Sequence, residues 1–195
     1  MAFQIETARL ILRDVRESDL ATLLAQAREP EAQRGILSFQ ANELYNRNYL
    51  EKAISEARFS RREHYALAVV QKSGGELIGT CNITQVRSGS IETNIGWHYG
   101  SRYWGRGFAT EAARALLHIG FEIGKVSEIF ADCFADNFAS IRVMEKIGMT
   151  TRPVLNLFNQ LRGISYGESR AAVRYVITRD EWLSNEKRKT ENGKY

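Results

Sequence analysis

The chain is poor in the residues that mark metal-binding, disulfide-bonded and membrane proteins. It contains two cysteines, Cys81 and Cys133, and two prolines in 195 residues. The cysteines lack the close spacing of a metal site and the density of a disulfide framework, which suits a reducing compartment. No run approaches the ~20 apolar residues of a membrane span, and residues 1–7 lack the basic and apolar regions of a signal peptide. These absences predict a cytoplasmic protein with no metal and no membrane partner.

The positive charge of the chain is concentrated at its C-terminus. The net charge is +4, and residues 186–195 contribute +2 of it through four basic and two acidic side chains. The other residues are nearly balanced in charge, so they offer no clustered basic face for a nucleic acid. The length suits one domain with a substantial core, which we place at residues 1–184. The polar tail at 185–195 lacks apolar periodicity, and we expect it to be disordered.

A glycine loop that leads directly into a helix is the most informative feature of the sequence. Apolar residues recur at helical spacing over residues 109–120, and Gly105 and Gly107 precede them. The first N–H groups of a helix have no intrahelical partner, and the helix dipole adds partial positive charge there. Because glycine has no Cβ, the backbone can approach phosphate oxygens closely, and Arg102 and Arg106 add charge. The segment predicts a phosphate-binding loop, although a tight strand-to-helix turn could have the same glycines.

Motifs spread over nearly the whole chain resemble one enzyme family. The spacing Arg102-x-x-Gly105-x-Gly107, followed by Phe-Ala-Thr-Glu-Ala, resembles the acyl-CoA pyrophosphate loop of the GNAT superfamily of N-acetyltransferases. The helix from Asn137 to Gly148 also resembles that superfamily. The opening Thr7-x-Arg-Leu-x-Leu-Arg and the closing Arg179-Asp-Glu-Trp are similar to its branch that acetylates N-terminal amines of ribosomal proteins. The loop lacks the Lys-Ser/Thr pair of a Walker motif and the third glycine of a dinucleotide fingerprint.

The order of elements predicts a mixed α+β fold in a single domain. We expect about seven strands and four helices, with hairpin-joined strands first and strand–helix–strand units afterwards. This order favours a mainly antiparallel sheet with helices on both faces. A predicted helix over residues 42–62 carries an aromatic stripe that could belong to the core or line a substrate cleft. The resemblance implies a GNAT-like fold that holds acyl-CoA in a gap between the fourth and fifth strands.

By the resemblance, the acyl donor is acetyl-CoA, and a defined set of residues is expected to bind it. The backbone edge around Trp97 to Tyr99 could pair with the amides of its pantetheine arm, as an added strand would. Asn137 would contact the same arm, although an asparagine at a helix start is also a common N-cap. The expected donor-binding residues are Trp97, His98, Tyr99, Arg102, Trp104, Gly105, Arg106, Gly107, Ala109, Thr110, Asn137 and Ser140.

The expected catalytic residues depart from the family's pattern. The branch usually has an acidic residue where this chain has Asn94, and an amide can hold a water but cannot act as a general base. Glu92, on the same face of the strand, could take the proton through that water. Many members place a tyrosine acid where this chain has Met144. Ser140 is then the candidate to hydrogen-bond the thioester sulfur, so Asn94, Glu92 and Ser140 are the predicted catalytic residues.

The resemblance implies a transferase, an acetyl-CoA-dependent N-acetyltransferase. It would transfer the acetyl group directly to an amine, either a protein N-terminus or a small molecule, and act as a monomer or homodimer. A terminal amine has a pKa of ~8 and is partly neutral at pH 7, whereas a lysine amine near ~10.4 is almost fully charged. Asn94 and Met144 also allow a catalytically weakened module that binds or senses acyl-CoA. An RNA-associated role would rest on the tail alone, and we expect no direct nucleic-acid binding.

Overall fold

An eight-stranded sheet forms the centre of the molecule. The computed structural model describes residues 3–35, 43–59, 62–87, 90, 93–152 and 171–191. Within these residues the strands are β1 (Gln4–Glu6), β2 (Leu10–Asp14), β3 (Tyr65–Gln71), β4 (Leu77–Thr84), β5 (Thr93–Tyr99), β6 (Glu128–Phe134), β7 (Thr150–Thr151) and β8 (Ala172–Thr178). They lie in the order β1-β2-β3-β4-β5-β6-β8-β7. Every pairing is antiparallel except that of β5 with β6.

Six helices accompany the described strands. They are α1 (Leu20–Ala27), α2 (Pro30–Gly35), α3 (Glu43–Glu56), α4 (Phe108–His118), α5 (Phe138–Lys146) and α6 (Arg179–Glu191). Short 3₁₀ turns precede α1 at Glu17–Asp19 and α4 at Ser101–Tyr103, and α4 continues into one π-helical turn at Ile119–Ile123. Among the described residues, no helix is both long enough and apolar enough to cross a bilayer.

Two apolar layers pack on opposite faces of the sheet. The larger layer joins α4 to the sheet and includes Leu12, Ile95 and Leu116, which are all buried. The smaller layer lies under α1 and α3 and includes Val15, Leu23, Leu24, Leu50 and Ala68. Tyr49 of α3 packs against this second layer, so that tyrosine belongs to the core. The predicted mixed fold with helices on both faces is confirmed, with eight strands instead of about seven.

A short helix follows α1, and the C-terminal segment differs from the sequence expectation. Helix α1 ends at Ala27, and Pro30 and Gly35 begin and end the short helix α2. Pro30 occupies the first helical position, where its missing N–H removes no intrahelical bond. Residues 185–191, expected to be disordered, instead continue α6, where side-chain hydroxyls bond to carbonyls one turn earlier. Residue Glu92, which was expected to be catalytic, and residues 153–170 lie outside the described residues.

Candidate functional site

A gap opens between the two parallel strands β5 and β6. These strands pair at only two positions, Thr93 with Ile129 and Asn94 with Phe130. On its other side β5 pairs with β4 from Asn94 to Tyr99. Beyond Asn94, the edge of β5 that faces β6 therefore has no strand partner among the described residues. The fourth and fifth strands expected from the sequence are β5 and β6 here, and the expected gap lies between them.

A hydrogen bond joins the two strands at the point where they separate. Asn94 Nδ2 donates to the carbonyl oxygen of Phe130 at 3.3 Å. At the other end of β5, Trp104 Nε1 donates to the carbonyl oxygen of Tyr99 at 2.9 Å. The Tyr99 carbonyl, at the open end of the gap, therefore already accepts a hydrogen bond from the indole of Trp104.

The glycine loop presents backbone N–H groups at the start of α4. Gly105 has a φ of 72° and Gly107 a φ of 80°, a left-handed conformation that glycine adopts without steric cost. The first intrahelical bond runs from the Glu111 N–H to the Gly107 carbonyl at 3.1 Å. The N–H groups of residues 108–110 precede that bond, and they donate to no backbone carbonyl of the described chain. Together with the helix dipole they form an anion-binding end.

Arg9 and Glu111 hold this loop to the start of β2. Glu111 accepts hydrogen bonds from the Thr7 hydroxyl at 2.6 Å, the Arg9 N–H at 2.8 Å and Arg9 Nε at 2.7 Å. Arg9 Nη1 also donates to the carbonyl oxygen of Arg106 at 3.0 Å. Burial alone would raise the pKa of Glu111, but these hydrogen bonds outweigh it and lower the pKa below its usual value. The carboxylate is therefore charged at neutral pH and fixes the loop.

The loop, β5, α2 and α5 enclose a cleft of about 870 Å³. Ten of the twelve expected donor-binding residues line it: Trp97, His98, Tyr99, Trp104, Gly105, Gly107, Ala109, Thr110, Asn137 and Ser140. Arg102 and Arg106 are not among the described lining residues. Arg102 forms an ion pair with Glu76 at 2.6 Å and is 67% exposed, and the Arg106 guanidinium lies 4.9 Å from the centre of the Phe108 ring. The Arg102 charge is thus paired with Glu76, whereas the Arg106 guanidinium lies over the ring of Phe108, a residue that lines the cleft.

The start of α5 combines both roles considered for Asn137. Its Oδ1 accepts the Ser140 N–H at 3.1 Å, so Asn137 is the N-cap of α5 and also lines the cleft. Ser140 lines the cleft in the first turn of the helix. Met144, one turn later, is 1% exposed and packs in the main core. The structure thus brings Ser140 into the cleft, leaves Asn94 at the apex of the gap, and buries Met144.

His98 lines the cleft and is half-buried. Its Nε2 is buried and has no hydrogen-bond partner within the described chain. Burial lowers the pKa of His98 below its usual value, and the backbone of Gln26 and the carboxylate of Glu29 offset part of this effect. The ring is therefore neutral at pH 7. Glu29 also accepts the Ser101 N–H at 2.6 Å, which links the segment before α2 to the glycine loop.

Sequence reasoning missed one wall of the cleft and the residues that anchor its loop. The missed lining residues are Glu31, Ala32, Tyr103, Phe108, Asp136, Phe138, Ala139, Arg142, Val143 and Lys146. Arg142 and Lys146 are one helical turn apart, a spacing that marks one face of α5 and could have been read from the sequence. The pairing of Arg9 with Glu111 had no local signal, because the two residues are 102 positions apart.

Comparisons with known proteins identify the family. Residues 9–150 match the family model described as the acetyltransferase (GNAT) domain, which is more than half of the chain. The uncharacterized protein YkkB of Bacillus subtilis (strain 168) is 38% identical over 91 residues, 46% of this chain and 52% of that protein. The chain thus matches about half the length of YkkB. The uncharacterized N-acetyltransferase YoaA of the same organism is 28% identical over 167 residues, 83% of this chain and 91% of that protein.

A solved structure shows the same fold. The crystal structure of an acetyltransferase (GNAT family) from Bacillus anthracis has a TM-score of 0.73 and 24% identity, and the match covers 91% of this chain and 99% of that one. The family model spans the gap between β5 and β6, the glycine loop and α5. This chain belongs to the GNAT acetyltransferase family, whose members use acetyl-CoA as acyl donor.

Proposed function

We propose that this chain transfers the acetyl group of acetyl-CoA directly to an amine, either the α-amine of a protein or the amine of a small molecule. The observation that carries the proposal is the row of helix-start N–H groups at residues 108–110 beside the open edge of β5. Free N–H groups at a helix start bind phosphates, and an open strand edge accepts an extended amide chain. The cleft volume of about 870 Å³ lies in the range of small-molecule sites, about 300–1,000 Å³.

The reaction replaces a thioester bond with an amide bond. The amine nitrogen attacks the thioester carbonyl carbon, a C–N bond forms and the C–S bond breaks. The amine loses one proton and the leaving thiolate gains one. The protein therefore has to hold a neutral amine, stabilise the developing oxyanion and supply a proton near the sulfur.

Ser140 is our candidate for the proton donor near the sulfur. Its backbone N–H is bound by Asn137 Oδ1, which fixes the first turn of α5. Its side chain lines the cleft. Met144 on the next turn is buried and has no proton to donate. Ser140 is thus the hydroxyl on this face of α5 that can hydrogen-bond a leaving thiolate.

Asn94 has a positioning role in this proposal. Its Nδ2 is engaged by the Phe130 carbonyl, which fixes the amide plane at the apex of the gap. An amide cannot take up a proton, so the base at this position is either Glu92, acting through a water, or none. An enzyme with so weak a base favours amines that are already neutral. This supports an α-amine with a pKa of ~8 over a lysine amine near ~10.4, in keeping with the motifs that resemble the branch acting on ribosomal-protein N-termini.

The test is to mix the purified chain with acetyl-CoA and a panel of amines and to measure free thiol. The panel contains peptides with a free α-amine, blocked peptides with one lysine, and small amines. We expect faster release with α-amines at pH 7, and a kcat about 100-fold lower for Ser140→Ala because the proton donor is lost. Ser184→Ala is the control, because Ser184 bonds only locally to Asp180 in α6. Absence of turnover with every amine would contradict transfer.

A second candidate is a module that binds acyl-CoA without transferring the acyl group. Two observations favour it: the amide of Asn94 bonds to a backbone carbonyl, and Met144 is buried. Tight binding of acetyl-CoA without thiol release, unchanged in Ser140→Ala, would support this candidate over the enzyme.

A further inference from the structure

One face of α5 carries an aromatic ring and two cations into the cleft. Phe138, Arg142 and Lys146 all line it, and we call this set the α5 stripe. The three residues are spaced i, i+4 and i+8, so their Cα atoms follow each other at about 6 Å along the helix axis. All three side chains are exposed, and Phe138 is 65% exposed, which is unusual for so large an apolar residue. The stripe therefore presents its groups to the cleft.

The two cations of the stripe differ from Arg9 and Arg102, two arginines near the glycine loop that are paired with carboxylates. Arg9 is paired with Glu111 at 2.7 Å, and Arg102 is paired with Glu76 at 2.6 Å. Within the described part of the chain, neither Arg142 nor Lys146 forms an ion pair with a carboxylate. Their charges are therefore available to a ligand.

The carboxylates that line the cleft do not neutralise the Lys146 end of the stripe. Asp136 precedes α5 and so lies at the opposite end of the stripe from Lys146, and Glu31 belongs to α2. Lys146 is the last residue of α5. The positive end of the stripe is thus separated along the helix from the acidic residue that precedes it.

A hydrogen bond places the C-terminal end of the stripe beside α4. Arg114 Nη2 donates to the carbonyl oxygen of Lys146 at 3.3 Å, which joins the end of α5 to the middle of α4. Thr110, in the first turn of α4, lines the same cleft as Arg142 and Lys146. The helix-start N–H groups and the two cations therefore face one continuous space. An anion with several phosphate groups can bind both at once.

We propose that the α5 stripe binds the 3′-phosphorylated nucleoside of the acyl donor, with Arg142 and Lys146 on its phosphomonoester and Phe138 against its base. This assignment rests on acetyl-CoA as the donor. In this arrangement the helix-start N–H groups bind the diphosphate. The 3′-phosphomonoester, which carries a charge of about −1.5 to −2 at pH 7, then binds the two cations. Arginine and lysine bind such groups by charge-assisted hydrogen bonds, and exposed aromatic rings stack on bases. The stripe would make the protein selective for donors that carry the 3′-phosphate.

The experiment compares binding of CoA and 3′-dephospho-CoA by calorimetry. The variants are the double substitution Arg142→Gln/Lys146→Gln, the single substitution Phe138→Ala, and Lys52→Gln as control. Lys52 lies on α3 and is 72% exposed. We expect the wild type to bind CoA about 10- to 100-fold more tightly than dephospho-CoA, as one or two charge-assisted hydrogen bonds provide. The control should keep that ratio.

The double variant should bring the ratio to about one and leave the affinity for dephospho-CoA within about twofold. Phe138→Ala should weaken both ligands by a similar factor and keep the ratio, because both carry the base. A wild type that binds both ligands equally, or a double variant that keeps the preference, overturns the subsite while the donor assignment stands. A wild type that binds neither ligand overturns the donor assignment, and the subsite with it.

Discussion

The carboxylate of Glu111 lies 2.7 Å from the Nε of Arg9, a residue 102 positions earlier in the chain. The same carboxylate accepts the Thr7 hydroxyl, and Arg9 reaches on to the carbonyl of Arg106 at 3.0 Å. The start of β2 therefore holds both the glycine loop and the first turn of α4. Two separate motifs of the sequence, Thr-x-Arg-Leu and Ala-Thr-Glu-Ala, meet in this one contact.

Replacing Glu111 with glutamine should destabilise the protein. The substitution removes the charge from an acceptor of three hydrogen bonds whose side chain is 16% exposed. We expect the free energy of unfolding to fall by about 1–3 kcal/mol. Glu76→Gln is the matched control, because its ion pair with Arg102 is exposed on both sides and such pairs contribute about 0–1 kcal/mol. Urea unfolding measures both, and equal effects would show that the Glu111 contact is not an anchor.

The contribution of Glu111 should depend on pH. Its pKa is lower in the folded protein than the usual 4.5. A carboxylate of this kind stabilises the fold above its unfolded pKa, and that stabilisation is lost as the pH falls through the folded value. The difference in unfolding free energy between wild type and Glu111→Gln should therefore be complete at pH 7 and shrink below about pH 4.5. Urea titrations from about pH 7 to about pH 3 test this, and a constant difference would contradict it.

The sequence predicted the glycine loop well because its signals are local. Two glycines followed by residues of helical period define both the turn and the helix start, and the structure has positive φ at Gly105 and Gly107. The order of hairpins and strand–helix–strand units likewise predicted the mixed sheet. The contact of Arg9 with Glu111 could not be predicted, because nothing in the neighbourhood of either residue specifies a partner so far away.

The direction of charged side chains was harder to predict than the backbone. Arg102 and Arg106 flank the glycines in sequence, but one pairs with Glu76 and the other lies over Phe108. The cations that do face the cleft, Arg142 and Lys146, come from a helix more than thirty residues later. The distance in sequence from a loop does not determine which way a long side chain points, because contacts with other parts of the folded protein select its rotamer.

A negative charge at Gly107 should abolish acetyl-CoA binding. Gly107→Asp places a carboxylate at the N-cap of α4, beside the helix-start N–H groups. We expect the Kd for acetyl-CoA to rise at least about 100-fold, since a like charge opposes the diphosphate and its hydrogen bonds are lost. Calorimetry measures it.

Two controls separate charge from backbone strain at this position. Gly107→Asn has nearly the same shape without the charge, and Gly74→Asp puts the same residue at a φ of +93° in the β3–β4 hairpin, away from the cleft. Gly74→Asp should leave the Kd within about threefold, and Gly107→Asn should weaken binding less than Gly107→Asp. Unchanged affinity in Gly107→Asp would mean that the loop is only a turn.

Asn94→Asp should lower the stability of the protein and shift its amine preference toward lysine amines. The substitution removes the donor to the Phe130 carbonyl, so the free energy of unfolding should fall by about 1–3 kcal/mol. It also supplies a carboxylate that can take a proton, so kcat/KM for lysine amines should rise relative to that for α-amines. Thiol-release assays with matched peptides measure the ratio. A ratio that does not change would show that Asn94 is remote from the reacting amine.

The most direct test of the account is the response of the loop amides to CoA. In ¹⁵N–¹H spectra of the labelled protein, titration with CoA should shift the amide signals of residues 105–110 strongly, because their N–H groups would bind the diphosphate. Signals from α3, on the other face of the sheet, should not move. If CoA saturates the protein while the signals of residues 105–110 stay unchanged, the glycine loop is not the phosphate site.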